Sequence, residues 1–282
     1  MSAAEIKSQP WNLWTRQAMA VARLELSRNF FNRRAWWIYF LAAGPIFLTV
    51  MHSLLAARGK WSCTLPADMM AYATIFQVYY LRLGIFFGCV GIFSNLFRGE
   101  VLEKTLHYYF LSPVRREVVA TGKYLSGLIM AVVLFGGSTG VAYLAIAWHH
   151  GAAYQEYLLK GPGLTQFGQY IVVTSLACLG YGSIFLLFGL IIRNPMVPAA
   201  LLMIWEAGNP VLPALLKKFS VIFYLKSLCP LDVPLSGPMA LIAVNADPTP
   251  AWLAIPGLML VSAAILFVAS RQVRKMEVMY SE

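Results

Sequence analysis

Long runs of apolar residues that carry no charge dominate this chain and point to a membrane. A helix needs about 20 such residues to cross the hydrocarbon core of a bilayer. Only two of the runs contain a full charge, Arg82 in one and Glu206 in another. The sequence therefore predicts an all-α, polytopic membrane protein with six transmembrane helices. The predicted spans are Ala35–Ala57, Met69–Phe97, Tyr124–Trp148, Gln166–Ile192, Asn194–Leu216 and Ala251–Ser270.

The composition excludes several other classes of protein. Apolar and aromatic residues make up 59% of the 282 residues and charged residues only 12%, against about 25% charged residues in soluble domains. A disordered protein, a disulfide scaffold and an ordinary cytosolic enzyme are therefore excluded. The net charge of +10 would suggest nucleic acid as a partner of a soluble protein. Here the charges lie between the apolar runs, so membrane topology and anionic lipid headgroups explain them better and we expect no nucleic acid partner.

The positions of the basic residues predict the orientation of the chain. Fifteen of the 22 lysines and arginines lie in segments on one side of the predicted membrane, and such residues collect on the cytoplasmic side. We therefore expect a multi-pass protein of the cell's inner (plasma) membrane with both termini in the cytoplasm. The expected domains are a cytoplasmic amphipathic helix over 1–34, the membrane domain over 35–270 and a cytoplasmic tail over 271–282.

Two segments outside the spans are predicted to form amphipathic helices. Trp11, Trp14 and Val21 fall at helical spacing, with arginines in other directions, which suits a helix that lies parallel to the membrane plane. A plain extension of the first span is the alternative. Phe219–Leu228 precedes a stretch whose three prolines break any long helix, so we expect a short helix there, at the membrane interface.

The loop between the second and third spans carries the most informative pattern. A short predicted helix begins after Arg98 and ends at Pro113, because proline lacks the backbone donor and clashes with the preceding turn. A compact helix at the cytoplasmic mouth of two spans is suited to act as a lever. Such a helix would receive a force from a soluble partner and transmit it to both spans.

Three groups of residues in this region resemble the second intracellular segment of ABC-2 type transporter permeases. They are Glu103-Lys104-Thr105-Leu106, Pro113-Val114-Arg115-Arg116 and Gly122-Lys123. Lys104 stands where the family usually has a small residue. The amphipathic start, the six spans and the cytoplasmic termini extend the resemblance over essentially the whole chain.

The resemblance implies a permease subunit that is energised by a separate ATPase. In that family the short helix docks on a nucleotide-binding subunit and two permeases form one pathway. The implied partners are an ABC ATPase subunit, a second copy of this chain and membrane lipids. The implied coupling residues are Gly99, Glu100, Glu103, Lys104, Thr105, Leu106 and Pro113. Because the chain has no GxxxxGK[ST] phosphate loop, ATP and Mg²⁺ would bind the partner, and we expect no cofactor and no enzyme activity in this chain.

Arg82, Glu206 and Asn209 are the candidate residues of the translocation pathway. Ionisable groups inside a membrane are costly and usually face a partner or a wet cavity, and the resemblance implies that the second and fifth spans line the pathway. We expect Arg82 and Glu206 to pair or to approach each other there. The alternatives are a packing pair without a transport role and an arginine that reaches one interface. Gly208-Asn209-Pro210 also predicts a kink in the fifth span.

The cysteines and histidines give weaker signals. Cys63 and Cys229 are both predicted on the outer side, where an oxidising compartment permits a disulfide between them. The four histidines show no ligand spacing, and adjacent His149 and His150 would point in different directions on a helix. The sequence therefore predicts no metal site and no catalytic residues.

The function predicted from these observations is ATP-driven export of a hydrophobic or amphiphilic substrate. Two other functions stay open. One is an intramembrane enzyme that modifies lipids, which would need acid–base or metal groups that converge near one membrane face. The other is a membrane anchor of an ATPase-driven machine that transports nothing itself.

Overall fold

The computed structural model of the chain describes residues 11–30, 36–59, 63–102, 114–192, 194–234, 244 and 248–275. These described residues form helices joined by turns and loops, and no strand occurs among them. Two single turns of 3₁₀-helix are Trp148–His150 and Asn209–Val211. The helices are α1 (Trp11–Phe30), α2 (Trp36–Ala57), α3 (Leu65–Ile75, Phe76–Gly84 and Ile85–Leu102), α4 (Arg116–Ala131, Val132–Gly136 and Gly137–Ile146), α5 (Ala152–Leu159), α6 (Gly163–Ile191), α7 (Met196–Ala207), α8 (Ala214–Lys217), α9 (Val221–Ser227) and α10 (Ala251–Lys275).

Five of these helices are long and apolar enough to cross a membrane, namely α2, α3, α4, α6 and α10. They coincide with five of the six predicted spans. The outer faces of α2 and α10 are the least covered, because only 22% of the most apolar stretch of each is buried within the protein. Those two helices therefore leave large apolar surfaces for lipid or for another protein chain.

The predicted span Asn194–Leu216 is not one continuous helix. Helix α7 ends at Ala207 after 12 residues, which is about 18 Å of helix and too short to cross a bilayer without the residues that follow it. Gly208, Pro210 and Pro213 follow, and prolines cannot continue the backbone ladder. The chain instead makes a 3₁₀ turn and two short helices, so the predicted kink is a full break. Helix α9, within the predicted interfacial segment, buries Val221, Ile222 and Leu225 against α6, α10 and their neighbours.

Two of the long helices contain stretches of π-helix, which are wider than α-helix. The nine residues Phe76–Gly84 of α3 are π-helical, and so are the five residues Val132–Gly136 of α4. Such π-helical stretches are rare, and they are frequently found at functional sites. The longer one is tied to its neighbours by tyrosines, because the Tyr79 hydroxyl donates to the Leu41 carbonyl at 3.0 Å and the Tyr80 hydroxyl lies 2.6 Å from the Ser138 hydroxyl.

Helix α6 forms the centre of the bundle and packs along the last part of α3 and along α10. Glycine permits the close approach to α3, because a Cβ on Gly189 would lie only 2.8 Å from the Ser94 carbonyl oxygen and a Cβ on Gly182 would overlap the Phe93 ring. Small residues at such positions let membrane helices pack backbone against backbone.

Helix α1 packs against the start of α4 and forms what we call the α1–α4 junction. A Cβ on Gly122 would lie 2.6 Å from the Ala18 carbonyl oxygen, so only glycine lets the two helices lie this close. The next residue, Lys123, is fully buried, and its ammonium lies 2.6 Å from the Glu25 carboxylate, which is 3% exposed. The guanidinium of Arg115 stacks over Trp14 at 4.2 Å. The end of α10 joins the same region through the ion pair of Arg274 with Glu117.

We predict that Lys123→Met strongly destabilises the protein, because it removes the ammonium that lies 2.6 Å from the buried Glu25 carboxylate. The expected loss in the free energy of unfolding is about 3–5 kcal/mol, and Lys123→Met combined with Glu25→Leu should recover most of it. Thermal unfolding in detergent measures both. The matched control is Lys160→Met, because the Lys160–Glu156 pair is exposed and its loss should cost about 0.5 kcal/mol or less. Equal losses for the two lysine variants would contradict the prediction.

Candidate functional site

A cavity of about 200 Å³, which we call the arginine cavity, lies between α3, α6, α7 and α9. It is partly open to the outside of the subunit, and its wall is mostly apolar. Arg82 and Glu206 both line it. The other lining residues include Val78, Phe86, Tyr181, Met203 and Ile222.

Arg82 reaches the arginine cavity from the π-helical stretch of α3 and is partly buried there. Its buried Nε atom has no hydrogen-bond partner among the described residues, and the hydroxyl of Tyr181 in the same wall is also unpartnered there. Lys226 of α9 lies close enough to Arg82 to be affected by its charge, because burial and then the charge of Arg82 lower the pKa of the Lys226 ammonium below the ordinary value. The cavity therefore presents the Arg82 guanidinium, the Glu206 carboxylate and the Tyr181 hydroxyl on an otherwise apolar wall.

Glu206 is satisfied by backbone and hydroxyl groups rather than by Arg82. Its Oε2 atom accepts hydrogen bonds from the Ser220 hydroxyl at 2.6 Å and from the Ile222 N–H at 3.0 Å, and its Oε1 atom accepts one from the Val221 N–H at 3.0 Å. The first N–H groups of a helix lack intrahelical partners and carry positive partial charge, so the carboxylate of α7 caps α9. No ion pair joins Glu206 to Arg82, both of which the structure describes.

Asn209 lies outside the lining of the arginine cavity. It lies in the 3₁₀ turn after α7 and is 6% exposed. Its Nδ2 atom is buried and has no hydrogen-bond partner within the described ranges. Gly99 of the predicted coupling residues lies near the end of α3 with open space around it, and Glu100 continues that helix. Glu103, Lys104, Thr105, Leu106 and Pro113 lie outside the described residues.

A second group of polar residues, which we call the histidine cluster, lies at the end of the bundle away from the α1–α4 junction. It consists of Asp68 in the first turn of α3, with His52 of α2, His149, His150 and Cys63 around it. The Asp68 carboxylate is 1% exposed. Its Oδ1 atom lies 2.9 Å from His52 Nε2, and its Oδ2 atom lies 2.9 Å from His150 Nε2 and 3.3 Å from His149 Nε2.

The sequence argument that His149 and His150 diverge does not hold in the structure. They belong to a 3₁₀ turn that follows the α-helical part of α4, and their ring centroids are 4.1 Å apart. Both side chains therefore face Asp68. The described residues contain two sets that could hold a metal ion, and both include Asp68. One set adds His52 and Cys63, the other His149 and His150.

Cys63 and Cys229 are free thiols in the structure and have different neighbours. Cys63 lies beside Asp68, and partial burial together with that carboxylate raises the pKa of its thiol above the ordinary value. The Cys229 thiol donates to the Leu225 carbonyl in α9 at 3.4 Å, and burial raises its pKa to about 12. A disulfide between the two stays a prediction.

The chain matches no protein-family model, and no curated protein sequence matches it significantly. Its fold and its chemistry are therefore argued from its own residues. These residues form a helical, membrane-type bundle with an arginine cavity on one side and a histidine cluster at one end.

We predict that Glu206→Gln destabilises the protein, because the amide can place only one acceptor oxygen where the carboxylate accepts three hydrogen bonds. The expected loss is about 1–3 kcal/mol, measured as a lower midpoint of thermal unfolding in detergent. Ser220→Ala, which removes one of the three donors, should cost about 1 kcal/mol. If Glu206→Gln unfolds at the wild-type temperature, the carboxylate does not hold α9 in place.

Proposed function

We propose that this chain is the permease subunit of an ABC-2 type exporter that moves an amphiphilic substrate and is energised by a separate ATPase subunit. The proposal includes a sixth membrane crossing by the segment that contains α7. It also includes cytoplasmic placement of both termini and assembly with a second copy of the chain. It rests on the resemblance, on the five membrane-type helices and on the arrangement at the α1–α4 junction.

The observation that carries the proposal is the packing of Gly122 and Lys123 against α1. These two residues belong to the motif that resembles ABC-2 permeases, and they fix α1 to α4 through a close backbone contact and a buried ion pair. The segment 103–113, in which coupling residues are expected, connects α3 to α4 a few residues before this junction. A force applied to that segment would therefore act on α3, α4 and α1 together.

The same region also includes the end of α10. The Arg116 guanidinium donates to the Arg274 carbonyl at 3.1 Å, and Arg274 pairs with Glu117. Three helices that are far apart in the sequence thus meet where the proposed ATPase would dock. Coupled motion requires such connections, because packed helices move as units rather than deform continuously.

The arginine cavity supports a substrate with a polar or anionic group and an apolar body. A cation inside a membrane is costly unless it meets an anion or water, and Arg82 lacks a partner for Nε among the described residues. Around the partly open cavity, Val78 and Ile204 are more than half exposed. Such an apolar rim fits closure by lipid or by the second permease copy.

Cross-linking tests the predicted docking of an ATPase. We expect a photoreactive residue in place of Thr105, introduced into the full chain in its native membrane, to form a covalent adduct with a protein that contains a Walker motif. Mass spectrometry identifies the adduct. The control carries the same residue in place of Gln155, which is exposed in α5 near the opposite end of α4 and should not react with that protein. Adducts at neither position, or only at Gln155, would overturn the proposal.

Replacement of Arg82 tests the pathway. In vesicles that contain the chain and its ATPase, Arg82→Met should reduce export of a fluorescent amphiphile with an anionic headgroup at least about tenfold, since it removes a charge contact worth more than about 1.4 kcal/mol. Export of a neutral analogue should change little. Arg58→Met, which removes an exposed arginine after α2, is the control. Equal export of the anionic probe by both variants would exclude Arg82 from the pathway.

A lipid-modifying enzyme is a second candidate, because the histidine cluster places acid–base and metal-binding groups near one end of the bundle. Mass spectrometry of vesicle lipids incubated with the purified chain distinguishes the two functions. A changed lipid without ATP favours the enzyme, whereas unchanged lipids with ATP-dependent export favour the permease.

A further inference from the structure

The histidine cluster joins the ends of three helices through one buried carboxylate. His52 comes from α2, Asp68 from the first turn of α3, and His149 and His150 from the turn that ends α4. Nothing in the proposed export mechanism uses these residues. Three imidazoles around one carboxylate that is 1% exposed are unusual in a chain with only four histidines.

The hydrogen bonds of His149 determine which of its ring nitrogens carries the proton. The Ser53 hydroxyl lies 2.5 Å from the Ala145 carbonyl and 2.8 Å from the Ile146 carbonyl. Carbonyls only accept, so the single hydroxyl proton of Ser53 goes to one of them. The Ser53 oxygen, 3.3 Å from His149 Nδ1, can then only accept from that nitrogen. A neutral His149 ring therefore has its proton on Nδ1 and a lone pair on Nε2.

That lone pair points at another acceptor. His149 Nε2 lies 3.3 Å from Asp68 Oδ2 and is buried without a hydrogen-bond partner among the described residues. An ionised carboxylate oxygen also only accepts. Two acceptors at this distance repel each other unless a cation lies between them, so the arrangement calls for a positive charge at this point.

The spacing fits a metal ion of the size of zinc. Zinc binds imidazole nitrogen and carboxylate oxygen at about 2.0–2.2 Å in tetrahedral geometry, which places neighbouring ligand atoms about 3.3–3.5 Å apart. Asp68 Oδ2 lies 3.3 Å from His149 Nε2, which is within that range. It lies 2.9 Å from His150 Nε2, which is a hydrogen-bond distance that must widen slightly to admit an ion. The three atoms all lie within 4.8 Å of one another.

We propose that Asp68, His149 and His150 bind one divalent transition-metal ion of the zinc class and that the ion fastens the start of α3 to the end of α4, with α2 held to both by the hydrogen bonds of Ser53 and His52. Ser53 orients His149, and His52 hydrogen-bonds the other oxygen of Asp68, as groups around metal ligands commonly do. The side chains of His52 and His150 are 18% and 17% exposed, so an ion can reach the ligands from solvent. The inference does not depend on export.

Metal content tests the proposal directly. The full chain, purified in detergent with an affinity tag that contains no histidine, is treated with a chelator, dialysed against Zn²⁺ and freed of loosely bound ion. We expect elemental mass spectrometry (inductively coupled plasma) to find about one zinc ion per chain. When cobalt replaces zinc, we expect the visible absorption bands of tetrahedral Co²⁺. The variants Asp68→Asn and His149→Ala/His150→Ala should bind zinc at least about 100-fold more weakly.

The control is Glu156→Gln, which removes an exposed carboxylate from α5 and should leave one zinc per chain. Wild type that retains no more zinc than the double histidine variant overturns the proposal, and so does a double variant that retains all of it. Unfolding of wild type provides a readout that needs no variant to fold. Zinc should raise its midpoint by about 5 °C, and an unchanged midpoint contradicts the role in fastening the helices.

Discussion

A polar group that is buried away from water, in a bilayer or in the protein interior, must find its partners within the protein. Two buried carboxylates of this chain, those of Glu25 and Glu206, meet that demand through residues that are distant in the sequence. Lys123 of α4 is neutralised by Glu25 of α1, and Glu206 of α7 accepts hydrogen bonds from the first residues of α9. Each of these contacts joins two helices that apolar packing alone would leave free to slide. The apolar residues therefore drive the helices to form a bundle, and the polar contacts determine which helices are neighbours in it.

Much of the bundle could be predicted from the sequence, because hydrophobicity over about 20 residues is a local property. Five predicted spans coincide with helices, and the largest difference is at the start of α4, which begins at Arg116 rather than at Tyr124. The segment Asn194–Leu216 differs, because Gly208 and the two prolines end α7 long before the apolar run ends. The prolines are visible in the sequence, but the same residues are compatible with a kinked helix and with a broken one. Which of them forms depends on whether other groups satisfy the freed backbone, and here Glu206 does so for α9.

The candidate sites were less predictable, because they depend on backbone geometry that side-chain patterns do not reveal. The cost of charge in a membrane drew attention to Arg82 and Glu206, and both line the arginine cavity. The sequence did not predict that Glu206 caps α9, because the groups that donate to its carboxylate begin 14 residues later in the chain. The histidine cluster was missed because adjacent residues diverge on an α-helix, whereas His149 and His150 lie in a 3₁₀ turn. Asp68 supplies the missing signal, a lone carboxylate at the start of an apolar run.

The π-helical stretch that contains Arg82 has a mechanical consequence. A π turn accommodates more residues than an α turn, and one residue of α-helix corresponds to about 100° of rotation about the axis. Conversion of a single wide turn of Phe76–Gly84 into a regular one would swivel the rest of α3 against the part that precedes it, without unwinding either. Arg82 could thus be aimed into the cavity or turned away from it by a change of winding alone.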